Sequence, residues 1–296
     1  MGDIMMEEKY DRPALLEIVE KFTMSKTGRQ EDNEDLLYID DKFVAVIDGA
    51  TGKSGARFGQ KTAGQLSAQL AAQVLKSLGG QESAREAVGL IQEEMRRFSL
   101  AHELDNQKIY LCASAVIYSR YRQQIWAVGD CQYSIDGTVQ DNRKRVDEIL
   151  GEARALAICS LLEEGMTERQ LLAEDLGRQM ILPFLKKQRF LENARGPYGF
   201  PVLNGDGHKV RPQVVSVPSG AEVVLASDGY PFLKGSLSES EDALEELLRK
   251  DPLCYKSYRS TKGRKEGNIS FDDRTYVKMK RMNKPQVSSY ALPCSK

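Results

Sequence analysis

Three apolar runs in this chain end in the same way. FVAVI leads into Asp48-Gly49, IWAV passes through Gly129 into Asp130, and EVVLAS leads into Asp228-Gly229; a fourth acidic pair, Asp272-Asp273, comes just before the apolar run RTYVKM. A carboxylate at the mouth of a buried strand is partly desolvated, and several of them converging repel one another unless a cation neutralises them. Mg²⁺ and Mn²⁺ are hard ions that take a few carboxylate oxygens and complete their octahedra with water, so an oxygen-only ligand set suits them. Zinc is disfavoured, because the two histidines, His102 and His208, have no ligand-type partner four residues on. One Asp-Gly pair alone reads as a turn, and the run Glu31 to Asp35 alone reads as a solvated loop. Recurrence at strand ends is what points to a metal. The glycines after Asp48 and Asp228 lack a Cβ, so their backbone can approach an ion and offer it a carbonyl oxygen.

The elements that must position these residues come in blocks. The segment Pro13 to Lys21 reads as a short helix; Leu36 to Ile39 and Phe43 to Ile47 read as the arms of a hairpin turning at Asp40-Asp41. Residues 60–78 and Ser83 to Leu104 carry helical spacing, the first ending at Gly79-Gly80. Strands follow at Ile109 to Tyr118, Gln124 to Val128 and Gln132 to Ile135. Residues 143–192 turn helical again in two pieces parted by Gly165, with Thr167 as an N-cap and Pro183 expected to kink the second piece. The Gly- and Pro-rich stretch 195–212 is an irregular loop long enough to serve as a lid or recognition element. Strands at Gln213 to Val217, Glu222 to Ser227 and Arg274 to Met279 enclose a helix at Ser238 to Lys250. Blocks of strands followed by pairs of helices favour stacked antiparallel sheets covered by helices over a doubly wound parallel sheet.

The 296 residues carry 42 basic and 43 acidic side chains, so no global basic field draws the chain to nucleic acid or to an anionic membrane. No apolar run reaches the roughly 18 residues of a membrane span, and the N-terminal residues lack the features of a signal peptide. Met6 stands where a myristoylation motif wants Ser or Thr. The five cysteines, Cys112, Cys131, Cys159, Cys254 and Cys294, are scattered without a C-x-x-C pair and read as reduced structural thiols. A soluble cytoplasmic protein is the expectation.

Taken together and in chain order, the motifs resemble the metal-dependent protein phosphatases of type 2C, in a divergent member of the bacterial type. GRQEDNED resembles the family's opening loop, VIDGATG its strand with Asp-Gly-x-x-Gly, and ASAVIYSRYRQQIWAVGDCQ its strand pair ending in Val-Gly-Asp-Ser-Arg. VVLASDGYPFL resembles the strand with Ala-Ser-Asp-Gly, and FDDRTYVKM stands at the family's Asp-Asn-x-Thr strand. The resemblance implies an α+β fold, a four-layer αββα sandwich of two antiparallel sheets flanked by helices, over residues 22–281. Residues 1–21 would be an N-terminal extension, 140–212 a helical insert with a loop, and 282–296 a flexible tail. It further implies that Asp48 bridges two Mg²⁺ or Mn²⁺ ions, that Gly49 lends its carbonyl, and that Asp35, Asp228 and Asp272 complete the set. Asp130 would serve a third, weaker position beside Asp228, and Glu34 would stand behind the ligands. A water shared by two cations would attack the phosphorus of a phosphoserine or phosphothreonine ester in line.

This sequence departs from the family at several positions. The phosphate-binding Arg is expected five residues before the metal-binding Asp, where Gln30 stands; the Arg is one earlier, at Arg29, and is the phosphate ligand the resemblance assigns. Ala50 replaces the eukaryotic members' His, Asp273 replaces the common Asn, and Cys131-Gln132 replace Ser-Arg. Two other readings keep part of this: a noncatalytic phosphatase-like binding or regulatory module, and a phosphatase of a small phosphorylated metabolite covered by the loop bearing Arg195, Tyr198 and His208.

Overall fold

Side chains on a strand alternate between its two faces, and in this chain both faces of the central strands are apolar. The computed structural model describes residues 13–52, 54–105 and 108–282. In chain order it contains β1 (Leu16–Met24), β2 (Asp35–Ile39), β3 (Phe43–Gly49), β4 (Arg57–Phe58), β5 (Lys61–Thr62), α1 (Ala63–Ser77) and α2 (Ala84–Ala101). Then come β6 (Ala113–Ser119), β7 (Gln124–Val128), β8 (Gln132–Ile135), β9 (Thr138–Gln140), α3 (Arg145–Glu163), α4 (Glu168–Ala173) and α5 (Leu176–Lys187). The last elements are β10 (Gln213–Ser216), β11 (Glu222–Ala226), α6 (Leu237–Lys250) and β12 (Arg274–Arg281).

Two five-stranded antiparallel sheets result, ordered β10-β7-β6-β3-β2 and β1-β12-β11-β8-β9. On β3, Phe43, Ala45 and Ile47 pack under α1 and α2, while Val44 and Val46 face Val223, Leu225, Val277 and Met279 of the other sheet. The outer face of that second sheet carries Val224, Ala226 and Tyr276, met by Leu233 and by Leu237 at the start of α6. The order helix, sheet, sheet, helix is the αββα layering expected. α1, α2 and α4 each begin with a reciprocal capping box, Thr62 with Gln65, Ser83 with Glu86 and Thr167 with Gln170, which satisfies donors the first turn leaves open.

Two local expectations are corrected. Pro13 to Lys21 does not form a helix: its residues from Leu16 belong to β1, paired with β12, so the boundary drawn at residue 21 falls inside a sheet strand. A β-bulge between Ile18 and Glu20 explains the miss, because it turns the strand over. Leu16 and Ile18 face the inter-sheet core, whereas Phe22 faces the outer layer, and the period of two is broken in the sequence. The helical stretch divides around Gly165 as expected, and it breaks a second time at Glu174 and Asp175, where no break was expected. Asp175 caps α5 by accepting from the Arg178 N–H, and Pro183 lies within α5. Apart from Met282, the tail 282–296 lies outside the described residues, as does Met6. Among the described residues no helix is long and apolar enough to cross a membrane.

The helical insert is clamped to the segment before β12 by one side chain. Arg154, fully buried on α3, donates Nη2 to Asp175 Oδ2 at 2.8 Å and Nη1 to the carbonyls of Leu253, Cys254 and Ser260 at 2.8, 3.2 and 3.0 Å. Removing one partner of a buried pair leaves the other charge unpaired, at a cost of about 3–5 kcal/mol. Arg154→Met is therefore expected to lower the chemical denaturation midpoint by that amount of stability; an unchanged midpoint would show that the clamp contributes nothing.

Candidate metal and phosphate site

The inter-sheet core opens at one end, and alternation carries the acidic residues to it. Val44 and Val46 face the core, so Asp48 two residues on faces the same way. Register places Asp35 opposite Asp48 on β2 and Ser114 opposite it on β6. From the facing sheet come Asp228, just beyond β11, and Asp272 and Asp273, just before β12. Asp130 arrives after β7 through Gly129, whose φ of +85° and close approach to Ser114 leave no room for a side chain. Asp48, Gly49, Asp130, Asp228, Asp272 and Asp273 line one cavity of about 890 Å³. Asp35 lies deeper, its Oδ2 accepting from the Ser227 hydroxyl at 2.6 Å across the two sheets.

Three lysines enter the same end. Lys262 contacts Asp272 Oδ2; Lys26 lies 3.3 Å from Asp273, 3.4 Å from Glu34 and 3.7 Å from Asp272; Lys144 lies 2.6 Å from Asp130. Among the described residues none pairs with Asp48 or Asp228, and the buried Oδ1 of Asp228 has no hydrogen-bond partner. The charge balance follows. Burial opposes ionisation of Asp272 and Asp130, but Lys262 with Lys26, and Lys144 with Ser114, outweigh it and hold both carboxyls below their usual range. Burial pushes Asp48 well up, helped by Asp35, Asp272 and Asp130; it does the same to Asp228, helped by Asp48, Asp272 and Asp130. Burial pushes Asp35 up to about 8.

Other groups hold the frame. Glu34 accepts from the hydroxyls of Thr51 and Thr62 at 2.5 and 2.6 Å. Asp273 accepts the Lys26 and Glu34 backbone N–H groups at 2.8 and 3.0 Å, so the acid in place of the family's Asn ties β1 and β2 to β12. Gly49 lies backbone to backbone against Gly64 of α1 and has no room for a Cβ. Cys131 is buried, and burial together with Asp48 pushes its thiol well up.

The structure therefore brings Asp48, Gly49, Asp130, Asp228 and Asp272 to one cavity, with Asp35 behind them. It does not bring Arg29 there: that guanidinium is exposed and donates to Asp32 Oδ2 at 2.8 Å through Nε. Arg195, Tyr198 and His208 are also absent from the cavity wall, and His208 pairs with Asp206 at 3.0 Å. The lysines escaped the sequence reading because Lys26, Lys144 and Lys262 stand in irregular segments with no periodicity or motif. An excess of strand-end carboxylates was the one signal that counter-charges had to exist.

Asp228 Oδ1 is a buried oxygen without a hydrogen-bond partner, and Asp48 beside it adds carboxylate oxygens of the hard type a divalent cation takes, so the donor chemistry fits Mg²⁺ or Mn²⁺ there. As they stand, no three His, Cys, Asp or Glu side chains among the described residues are gathered around one point closely enough to grip an ion. Asp272 is held by Lys262 and would have to exchange that partner.

Models of protein families give no match to the sequence, and neither do curated proteins. Among solved structures, the catalytic domain of the serine/threonine protein phosphatase PstP in complex with two manganese ions aligns at a TM-score of 0.50 and 14% identity, covering 90% of this chain and 99% of that one. The fold is that of the type 2C phosphatases. The Mycobacterium tuberculosis serine/threonine phosphatase PstP/Ppp aligns at 0.46 and 16% identity over 90% of this chain and 99% of that one. PppA, a regulatory component of T6SS in Pseudomonas aeruginosa, aligns at 0.47 and 12% identity over 90% and 98%. Within the type 2C fold, the strand-end residues described above occupy the open end of the sandwich.

Burial gives Asp35, Asp48 and Asp228 a higher proton affinity in the folded state than in an unfolded chain, whose carboxyls lie near 4. The folded state then binds more protons, so in the absence of divalent ions this contribution to stability is full below about pH 4 and is lost as pH rises through the folded values, about 8 for Asp35. In chelator, Asp228→Asn is expected to raise the melting temperature at pH 8 by about 2–4 °C per kcal/mol of relieved repulsion, with a smaller gain at pH 5. Calorimetry at the two pH values checks this, and an Asn variant no more stable than wild type at pH 8 would mean that Asp228 is not under strain.

Proposed function

We propose that this chain is a metal-dependent phosphatase of phosphoserine and phosphothreonine esters, working with Mg²⁺ or Mn²⁺. The observation that carries this reading is the pair Asp48 and Asp228, delivered from opposite sheets into one cavity and left without partners while the neighbouring carboxylates are paired. Two divalent cations bound there would lower the pKa of a shared water and offset the charge of the phosphoryl oxygens. Asp48 and Asp228 would hold them, with Asp272 once Lys262 yields it and with Asp35 held in reserve behind by Ser227. The Lys262 side chain is part of the cavity wall, so an ammonium released from Asp272 would be available to the phosphoryl oxygens of a bound ester. That gives it the role assigned to Arg29, which faces away. Arg143 and Arg178 stand on the same wall, and the cavity of about 890 Å³ admits a phosphorylated side chain with part of its peptide. Ala50 offers no proton to the leaving group, which would take one from water.

A second reading, a noncatalytic binding module, is favoured by one feature: Lys262 and Lys26 already neutralise Asp272. Hydrolysis of an aryl phosphate separates the two. Turnover with Mn²⁺, abolished by chelator and reduced about 100-fold or more in Asp48→Ala and Asp228→Ala, is the expected result. Absence of both Mn²⁺ binding and turnover in the wild type would overturn the phosphatase reading and leave the binding module. A panel of phosphopeptides against phosphorylated metabolites then identifies the ester class, with peptides expected to be preferred.

A further inference from the structure

Asp130 stands where a third, weaker ion was expected, and both of its oxygens are taken. The Ser114 hydroxyl donates to Oδ1 at 2.5 Å, and the Lys144 ammonium lies 2.6 Å from Oδ2. This pairing is built from several directions. The Lys144 backbone is fixed at the N-cap of α3, where its carbonyl accepts from the N–H groups of Asp147 and Glu148 at 2.9 and 3.1 Å. Asn142, two residues before, donates to the carbonyl of Cys131, the residue after Asp130, at 2.8 Å. The ammonium lies 5.2 Å from the ring centre of Phe200, within cation–π range, and 3.7 Å from Asp147. Its side chain is 18% exposed. Lys262 is held differently: it caps no helix, is 30% exposed and, among the described residues, has no aromatic ring against its ammonium.

We propose that Lys144 is a built-in replacement for the third cation, so that the chain binds two divalent ions and fills the remaining position with its own ammonium. The ion count rests on the phosphatase reading; the pairing of Lys144 with Asp130 does not. The physics is substitution of like for like in sign. An ammonium is a compact point charge with three donors, and here they face Asp130, Asp147 and the Phe200 ring. It balances Asp130 permanently and leaves a fixed positive charge on the cavity wall, but it has no open coordination position and cannot present a water as a divalent ion does. Asp130 is thereby a positioning residue for Lys144 and not a metal ligand.

The test counts Mn²⁺ bound per chain at equilibrium, at millimolar free metal, in wild type, Asp130→Asn and Lys144→Met. The expected counts are two, two and three, the last because removal of the ammonium opens Asp130 to an ion. Three ions in the wild type, a loss of one ion on Asp130→Asn, or only two in Lys144→Met would each overturn the proposal. A second arm uses chelator and needs no metal. Lys144→Met should lower the melting temperature by several degrees, since it leaves Asp130 buried and unpaired, and Asp130→Asn added to it should restore part of that loss. A melting temperature for Lys144→Met equal to wild type would overturn the pairing itself. A wild type that binds no Mn²⁺ would sink the phosphatase reading and the ion count together, while the chelator arm would still decide whether Lys144 neutralises Asp130.

Discussion

Like charges brought together at the open end of an apolar sandwich repel one another, and water reaches them too poorly to screen the repulsion. That constraint organises this end of the molecule. Asp35, Asp48, Asp130, Asp228, Asp272 and Asp273 are carried there by strand geometry alone, since each lies at or just beyond the end of a strand whose other residues build the core. The fold can hold them only by supplying positive charge or by keeping some of them protonated. It does both: Lys26, Lys144 and Lys262 neutralise part of the set, and burial leaves Asp35, Asp48 and Asp228 with a raised affinity for protons.

The source of the lysines connects the peripheral elements to the site. Lys144 comes from the entry to the helical insert, and Lys262 from the irregular segment between α6 and β12. Arg154 ties that segment to the insert through its carbonyls, so the two regions that supply cations are anchored to each other as well as to the sheets. A sandwich of two sheets carries the carboxylates, whereas Lys144 and Lys262 come from segments outside the two sheets.

Much of the platform was legible in the sequence. The strands over 124–128 and 132–135 have the bounds expected, and α1, α2 and α6 agree within a few residues because each carries a helical period and a capping residue. The strand β1 was not legible, because a bulge reverses its faces midway and erases the alternation. The break of the insert at Asp175 was hidden as well: an Asp that caps one helix after another looks like any polar helical residue, while Pro183 draws the eye and is accommodated inside α5. Of the candidate site, the carboxylates were visible as strand-end repeats, but the loop carrying Arg29 followed no period, and its direction could not be read.

The sequence by itself determined that Asp48 shares a strand face with Val44 and Val46, by the period of two, but both faces are apolar, so which one meets the other sheet was decided by the tertiary structure. It also determined that several acids end up at strand termini. Only the tertiary structure decided which of them carry a partner. Ion pairs such as Lys144 with Asp130 and Lys262 with Asp272 join segments far apart in the chain through irregular backbone, and no local rule of spacing or propensity encodes which long side chain reaches which acid. The physical reason is that strand faces are set by neighbours in sequence, whereas charge is balanced by neighbours in space.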